Sequence, residues 1–191
     1  MAKTLAGKRI AILSADGVEQ SELTEPRKAL EKAGASTDLV SPAKTPKIQA
    51  MNHHEKGDKF KVDVPLSEAD PRDYDALLLP GGVANPDELR TIPAAVKFVK
   101  SFFDSRKPIA AICHGPWMLV EANIARGHTL TSWPSLQTDI RNAGGQWIDQ
   151  AVVQDDLLTT SRKPDDLPMF IREMLKSFAG NNQEDSAAQT Q

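Results

Sequence analysis

The chain is expected to fold as an α/β domain with a mainly parallel central sheet between two layers of helices. Three observations carry that expectation. Short β-branched and aliphatic runs, Lys8–Ser14, Asp75–Leu79 and Pro108–Ile112, each end in a polar or glycine-rich turn, as core strands of a parallel sheet do. Segments with apolar residues at helical spacing fall between and after them. With 191 residues, 40% of them apolar, the chain is long enough to bury one substantial core.

Lys8–Ser14 is the first strand, turning at Ala15-Asp16-Gly17. From Glu19 to Ala33 apolar and small residues recur at Leu23, Pro26, Ala29, Leu30 and Ala33, predicting a helix that Gly34 terminates. Pro26 suits such a helix only near its first turn. Ser36–Val40 is the next strand. Residues 42–72, with four prolines and the polar stretch Asn52 to Asp58, predict a hairpin outside the main sheet. Asp75–Leu79 is a buried strand closed by Pro80-Gly81-Gly82, and short helices follow near Pro86–Arg90 and Pro93–Ser105. Pro108–Ile112 runs straight into Cys113-His114-Gly115-Pro116 and a helical pattern over Trp117–Ala122. Helix at Ser135–Asn142, strands at Trp147–Val153 and Leu157–Ser161, and an amphipathic helix at Leu167–Phe178 complete a flavodoxin-like three-layer sandwich. Residues 1–179 form the expected domain, and the polar residues 180–191 an expected disordered tail.

Composition narrows the function. A net charge of −3 with scattered lysines and arginines gives no footprint for a polyanion, so no obligate nucleic-acid partner is expected. No apolar run reaches the roughly 18–20 residues that cross a bilayer, and the N-terminus lacks a signal core. With the single cysteine, this points to a reducing, cytoplasmic setting and excludes an internal disulfide. No nucleotide-binding fingerprint is present.

The cysteine turn concentrates the chemistry. A lone cysteine is often an inert small hydrophobe. In a nucleophile elbow, however, the positions two before and two after the nucleophile must be small, and Ala111-Ile112-Cys113-His114-Gly115 meets that demand. A helix start just beyond is expected to favour a thiolate of depressed pKa. Side chains adjacent on a tight turn can diverge, so His114 need not touch the sulfur. Glu19 lies just past the carboxyl end of the first strand, where ligands of open α/β sheets gather; Asp87 and Glu88 are helix-start acids. His53-His54-Glu55 reads as a solvated loop rather than a metal site, because adjacent histidines point apart. Trp117, Trp133 and Trp147 read as core or interface residues.

Asp16-Gly-Val-Glu19, Asp75-Ala-Leu-Leu-Leu-Pro-Gly-Gly82, Ala110-Ala-Ile-Cys-His-Gly-Pro116, Leu130-Thr-Ser132, Asn142-Ala-Gly-Gly145 and Thr160-Ser-Arg162, in this order over nearly the whole chain, resemble the PfpI family. Those intracellular cysteine hydrolases and general stress proteins lie within the class I glutamine amidotransferase-like superfamily. The resemblance implies Cys113 as nucleophile and Glu19 as the buried acid that hydrogen-bonds the sulfur. It further implies His114 paired with an acid from a neighbouring subunit, corresponding to Asp87, and an oxyanion hole from the backbone N–H groups of Gly82 and His114. It implies no cofactor and no metal, and a homodimer or higher homo-oligomer. The expected activity is a cysteine-dependent hydrolase or lyase acting on small reactive carbonyls or glycated adducts. A peptidase or amidase, and a redox sensor working by oxidation of Cys113, are the alternatives.

Overall fold

The computed structural model describes residues 4–180, so the tail expected beyond Gly180 lies outside the described residues. The strands are β1 (Arg9–Leu13), β2 (Val18–Glu19), β3 (Ser36–Ser41), β4 (Lys47–Asn52), β5 (Glu55–Lys61), β6 (Val64–Pro65), β7 (Ala76–Leu79), β8 (Ile109–Ile112), β9 (Thr129–Leu130), β10 (Gln146–Trp147), β11 (Val152–Asp155) and β12 (Leu158–Ser161). The α-helices are α1 (Gln20–Lys32), α2 (Ala84–Arg90), α3 (Pro93–Asp104), α4 (Trp117–Glu121), α5 (Gln137–Asn142) and α6 (Leu167–Ala179).

The main sheet has the order β11-β12-β8-β7-β1-β3-β6, parallel throughout except for the β11–β12 edge pair. Its five inner strands, β3-β1-β7-β8-β12, run second, first, third, fourth and fifth along the chain, which is the flavodoxin-like order. The direction of winding reverses between β1 and β7, so a crevice opens at their carboxyl ends. The turns after β1, β7 and β8 all meet there.

Both faces of the sheet are buried, and the strand residues alternate between them. Ala11, Leu13, Leu77, Leu79 and Ala111 pack with Phe98, Phe102, Leu119 and Ile140 on one face. Ile10, Ile12, Leu78, Ala110 and Ile112 pack with Leu23, Leu30, Phe170 and Met174 of α1 and α6 on the other. This is why the strands read as continuous apolar runs rather than alternating ones.

Outside this frame β2, β4 and β5 form a small sheet, with β4 and β5 joined by a turn at His53-His54. The chain departs from the sequence reading in three places. Pro26 sits well inside α1, buried, and its missing N–H leaves the Glu22 carbonyl without the usual donor. Val18 and Glu19 are extended and pair with β4, so the helix starts after Glu19. The expected strand Trp147–Val153 is two strands in two sheets: β10 pairs β9, the Gln150 N–H turns back to the Ile148 carbonyl (3.2 Å), and β11 then joins β12. No glycine or proline marks that break.

Candidate active site

β8 ends at Ile112, and the next residue, Cys113, takes φ of +61°, a left-handed conformation that L-residues adopt at a cost. Backbone hydrogen bonds hold it there. Gly115 N–H closes the turn onto the Ile112 carbonyl (2.8 Å), Cys113 N–H bonds the end of β12 at Ser161 (3.0 Å), and Trp133 N–H bonds the Cys113 carbonyl (2.8 Å). A Cβ at Gly115 would run into the Leu79 carbonyl oxygen and lie 2.9 Å from that of Ile112. The turn therefore requires glycine at that position. α4 begins only at Trp117 and is five residues long, so the helix dipole expected to favour a thiolate is small. The Gly82 and His114 backbone N–H groups point at the sulfur instead.

The carboxyl that meets the sulfur is Glu22, not Glu19. Glu22 is fully buried in the first turn of α1, on the same face as Leu23, Pro26 and Leu30. Its Oε2 accepts the Gly81 N–H at 2.8 Å, while Oε1 is buried with no hydrogen-bond partner. Glu19, three residues earlier on extended backbone, turns its Oε2 to the His53 N–H at 3.0 Å. The change from strand to helix between the two residues sends the two carboxyl groups to different walls of one site.

Burial pushes the Glu22 carboxyl up to about 8, against the opposing pull of the Gly81 N–H. Burial and then the Glu22 charge push the Cys113 thiol up as well, outweighing the Gly82 and His114 N–H groups. The direction is opposite to the depressed thiol expected from the sequence. His114 is held down to about 4 by burial, hence neutral at physiological pH. Its Nδ1 lies 3.2 Å from Cys113 Sγ and its Nε2 3.4 Å from Ser135 Oγ. Trp133 stacks on the ring and Trp117 meets it edge-on. The imidazole thus touches the sulfur after all. Asp87 lies exposed in the first turn of α2, and both ring nitrogens of His114 face other groups, so the chain by itself does not pair them.

A model of the DJ-1/PfpI family matches residues 8–177. The chain belongs to the DJ-1/PfpI family. An uncharacterized protein of Staphylococcus epidermidis is 42% identical over 173 residues, covering 90% of this chain and 98% of that one. A Bacillus subtilis protein named "Putative cysteine protease YraA" is 39% identical over 168 residues, covering 88% and 96%. Among solved structures, a two-domain protein of Anabaena variabilis with DJ-1/ThiJ/PfpI-like and ferritin-like domains is 33% identical with a TM-score of 0.82, covering 88% of this chain and 47% of that one.

In this member of the DJ-1/PfpI family, Cys113 opens on a cavity of about 180 Å³ that Glu19, Glu22, Gly82, His114 and Trp133 line. His53 and His54, exposed in their turn as the solvated-loop reading expects, also line it. Among the described residues no group of three or more His, Cys, Asp or Glu side chains is arranged to hold a metal, and no helix is long and apolar enough to cross a membrane. Two contributors escaped the sequence reading. Glu22 carried a signal, a carboxylate on the apolar stripe of α1. The His53-His54 turn carried none, because what brings it to the cysteine is pairing between β2 and β4.

Proposed function

We propose that the protein is a cysteine-dependent hydrolase or lyase for small reactive carbonyls, with Cys113 as nucleophile, Glu22 as its acid–base partner and neutral His114 orienting the thiol. The observation that carries this reading is the confinement of the thiol. Cys113, 6% exposed, faces a cavity of about 180 Å³ between Glu22 and His114, with room for a small carbonyl compound against the sulfur.

The thiol adds to an aldehyde carbon, forming a C–S bond, while the ionised Glu22 carboxylate beside the sulfur takes its proton. The carbonyl oxygen becomes an alkoxide beside the Gly82 and His114 N–H groups and takes that proton back from Glu22, which is left ionised again. Neutral His114, stacked on Trp133 with Nδ1 toward the sulfur, orients the thiol. With a 2-oxoaldehyde, Glu22 in its ionised form removes the C1 proton of the hemithioacetal and returns it to C2, giving a thioester. Water then releases a 2-hydroxy acid and the free thiol. A carboxyl raised to about 8 is a better base than an ordinary glutamate and needs neither metal nor cofactor for this step.

Release of early sugar adducts from proteins would use the same addition. Peptide hydrolysis, the reading that the name of the Bacillus relative favours, needs an acid to orient His114. Asp87 would supply it only from a second subunit. A homodimer, a role in stress and a cytoplasmic setting belong to the same proposal, and exposed Val83 (59%) and Trp133 (38%) beside the cavity support burial against a second copy. The test is turnover of methylglyoxal against peptide substrates by wild type and Cys113→Ser. Carbonyl turnover is expected to fall at least about a thousandfold in the variant; peptide cleavage alone, or equal rates in both proteins, would sink the reading.

A further inference from the structure

We infer that Glu19 is a positioning residue whose carboxylate clamps the β4–β5 turn across the mouth of the Cys113 cavity, and that the His53-His54 edge so placed limits which molecules reach the thiol. The hairpin closes through the pair Asn52 and Glu55, leaving His53-His54 as a two-residue turn. His53 takes φ of +56° in that turn, a region that histidine enters more readily than most non-glycine residues.

The hairpin is tied at successive points to the loop that follows β1 and to the start of α1. Gln49 N–H bonds Asp16 Oδ1 (2.7 Å), Gly17 N–H bonds the Gln49 carbonyl (2.8 Å), and the Gln20 side chain both donates to Asp58 Oδ2 (2.9 Å) and accepts from Asp58 N–H (2.7 Å). These contacts hold the strands. At the tip the contact is Glu19 Oε2 with the His53 N–H, at 3.0 Å. Glu19 is buried and pairs with Met51 through β2, which fixes its backbone beside the turn. Both histidines then line the cavity that holds Cys113.

This deepens the carbonyl reading by naming what restricts that site to small molecules, and its test does not require turnover. The rate of Cys113 alkylation is measured with iodoacetamide and with a bulky dye-linked iodoacetamide at pH 9, and the bulky-to-small ratio is compared. Glu19→Ala removes the acceptor, whereas Glu19→Gln keeps an oxygen that can take the His53 N–H. The ratio is expected to rise about tenfold in the Ala variant, the scale of one charge-assisted hydrogen bond, and to stay within about twofold in the Gln variant. An unchanged ratio in a natively folded Ala variant overturns the clamp, and so does an equal rise in both variants.

Should Glu19→Ala not fold, Glu19→Met decides. It keeps the length of the side chain but has no oxygen to take the His53 N–H, so a raised ratio supports the inference and an unchanged one overturns it. If wild type turns over no carbonyl, the proposed activity fails while the alkylation ratio still reports on the clamp.

Discussion

On one side of the Cys113 cavity the backbone is locked by approaches that only glycine permits; on the other the wall is the tip of a surface hairpin, which beyond its β2–β4 pairing is fixed by side-chain hydrogen bonds. Gly81, Gly82 and Gly115 belong to the first wall. A Cβ at Gly81 would come within 2.5 Å of Glu22 Oε2 and 2.6 Å of Cys113 Cβ, and one at Gly82 within 2.7 Å of the Glu19 nitrogen. The second wall, residues 52–58, rests on Glu19 and Gln20. The proposed nucleophile sits on the rigid wall, at the carboxyl ends of β7 and β8, and the proposed filter on the softer one.

The largest expected effect comes from breaking the rigid wall. Gly115→Val forces a branched side chain into the Leu79 and Ile112 carbonyl oxygens, neither of which can move without pulling on the central sheet. A loss of about 4–5 kcal/mol, or no folding at all, is expected in urea denaturation. A variant within about 1 kcal/mol of wild type would show that the turn has slack and remove the contrast between the walls.

Next in size is the pH dependence set by Glu22. Its folded pKa of about 8 lies above the ordinary value of 4.5, so the neutral acid is favoured by folding. Its contribution to stability is complete below about pH 4.5 and is lost as the pH rises through about 8. Glu22→Gln cannot ionise, so wild type should lose on the order of 3 kcal/mol relative to that variant between pH 5 and pH 8.5. Removing the Glu22 charge should also bring the Cys113 thiol down, moving the alkylation profile of the Gln variant to lower pH. Parallel stability curves for the two proteins would mean that Glu22 is ionised and stabilised in some other way.

The same two walls differ in how much of them can be read from residues alone. Ala111, Cys113 and Gly115 lie on five consecutive positions, and sterics along that short stretch are enough to announce the elbow. The layered, mainly parallel architecture likewise follows from alternating strands and helices. The acid implied by the family resemblance was carried onto Glu19, three residues before the carboxyl that meets the sulfur. Had β2 been anticipated, Glu22 would have stood out, sharing the buried face of Leu23, Pro26 and Leu30. The hairpin's place at the site depends on parallel pairing of Val18 with Ala50 and Glu19 with Met51, a contact between segments far apart in sequence with no local pattern to betray it. The thiol's electrostatics were misjudged for a related reason, since burial in the folded chain outweighs the short helix start that the sequence shows.

The smallest expected effect sharpens the comparison without disturbing the fold. Gln20→Ala removes both side-chain bonds to Asp58, which lie at the surface, where water replaces most of what is lost. Global stability should fall by no more than about 1 kcal/mol, because the buried core on either face of the sheet is untouched. The hairpin, however, should open more often as a unit. In native-state hydrogen exchange the protected amides of residues 55–61 should therefore exchange several-fold faster in the variant. The Gly115 amide, bonded to the Ile112 carbonyl inside the rigid wall, should track only the small global change. Equal acceleration at both places would mean that the two walls open together, as one cooperative unit. Faster exchange confined to the hairpin would show that the selecting wall can loosen while the nucleophile's wall stays closed.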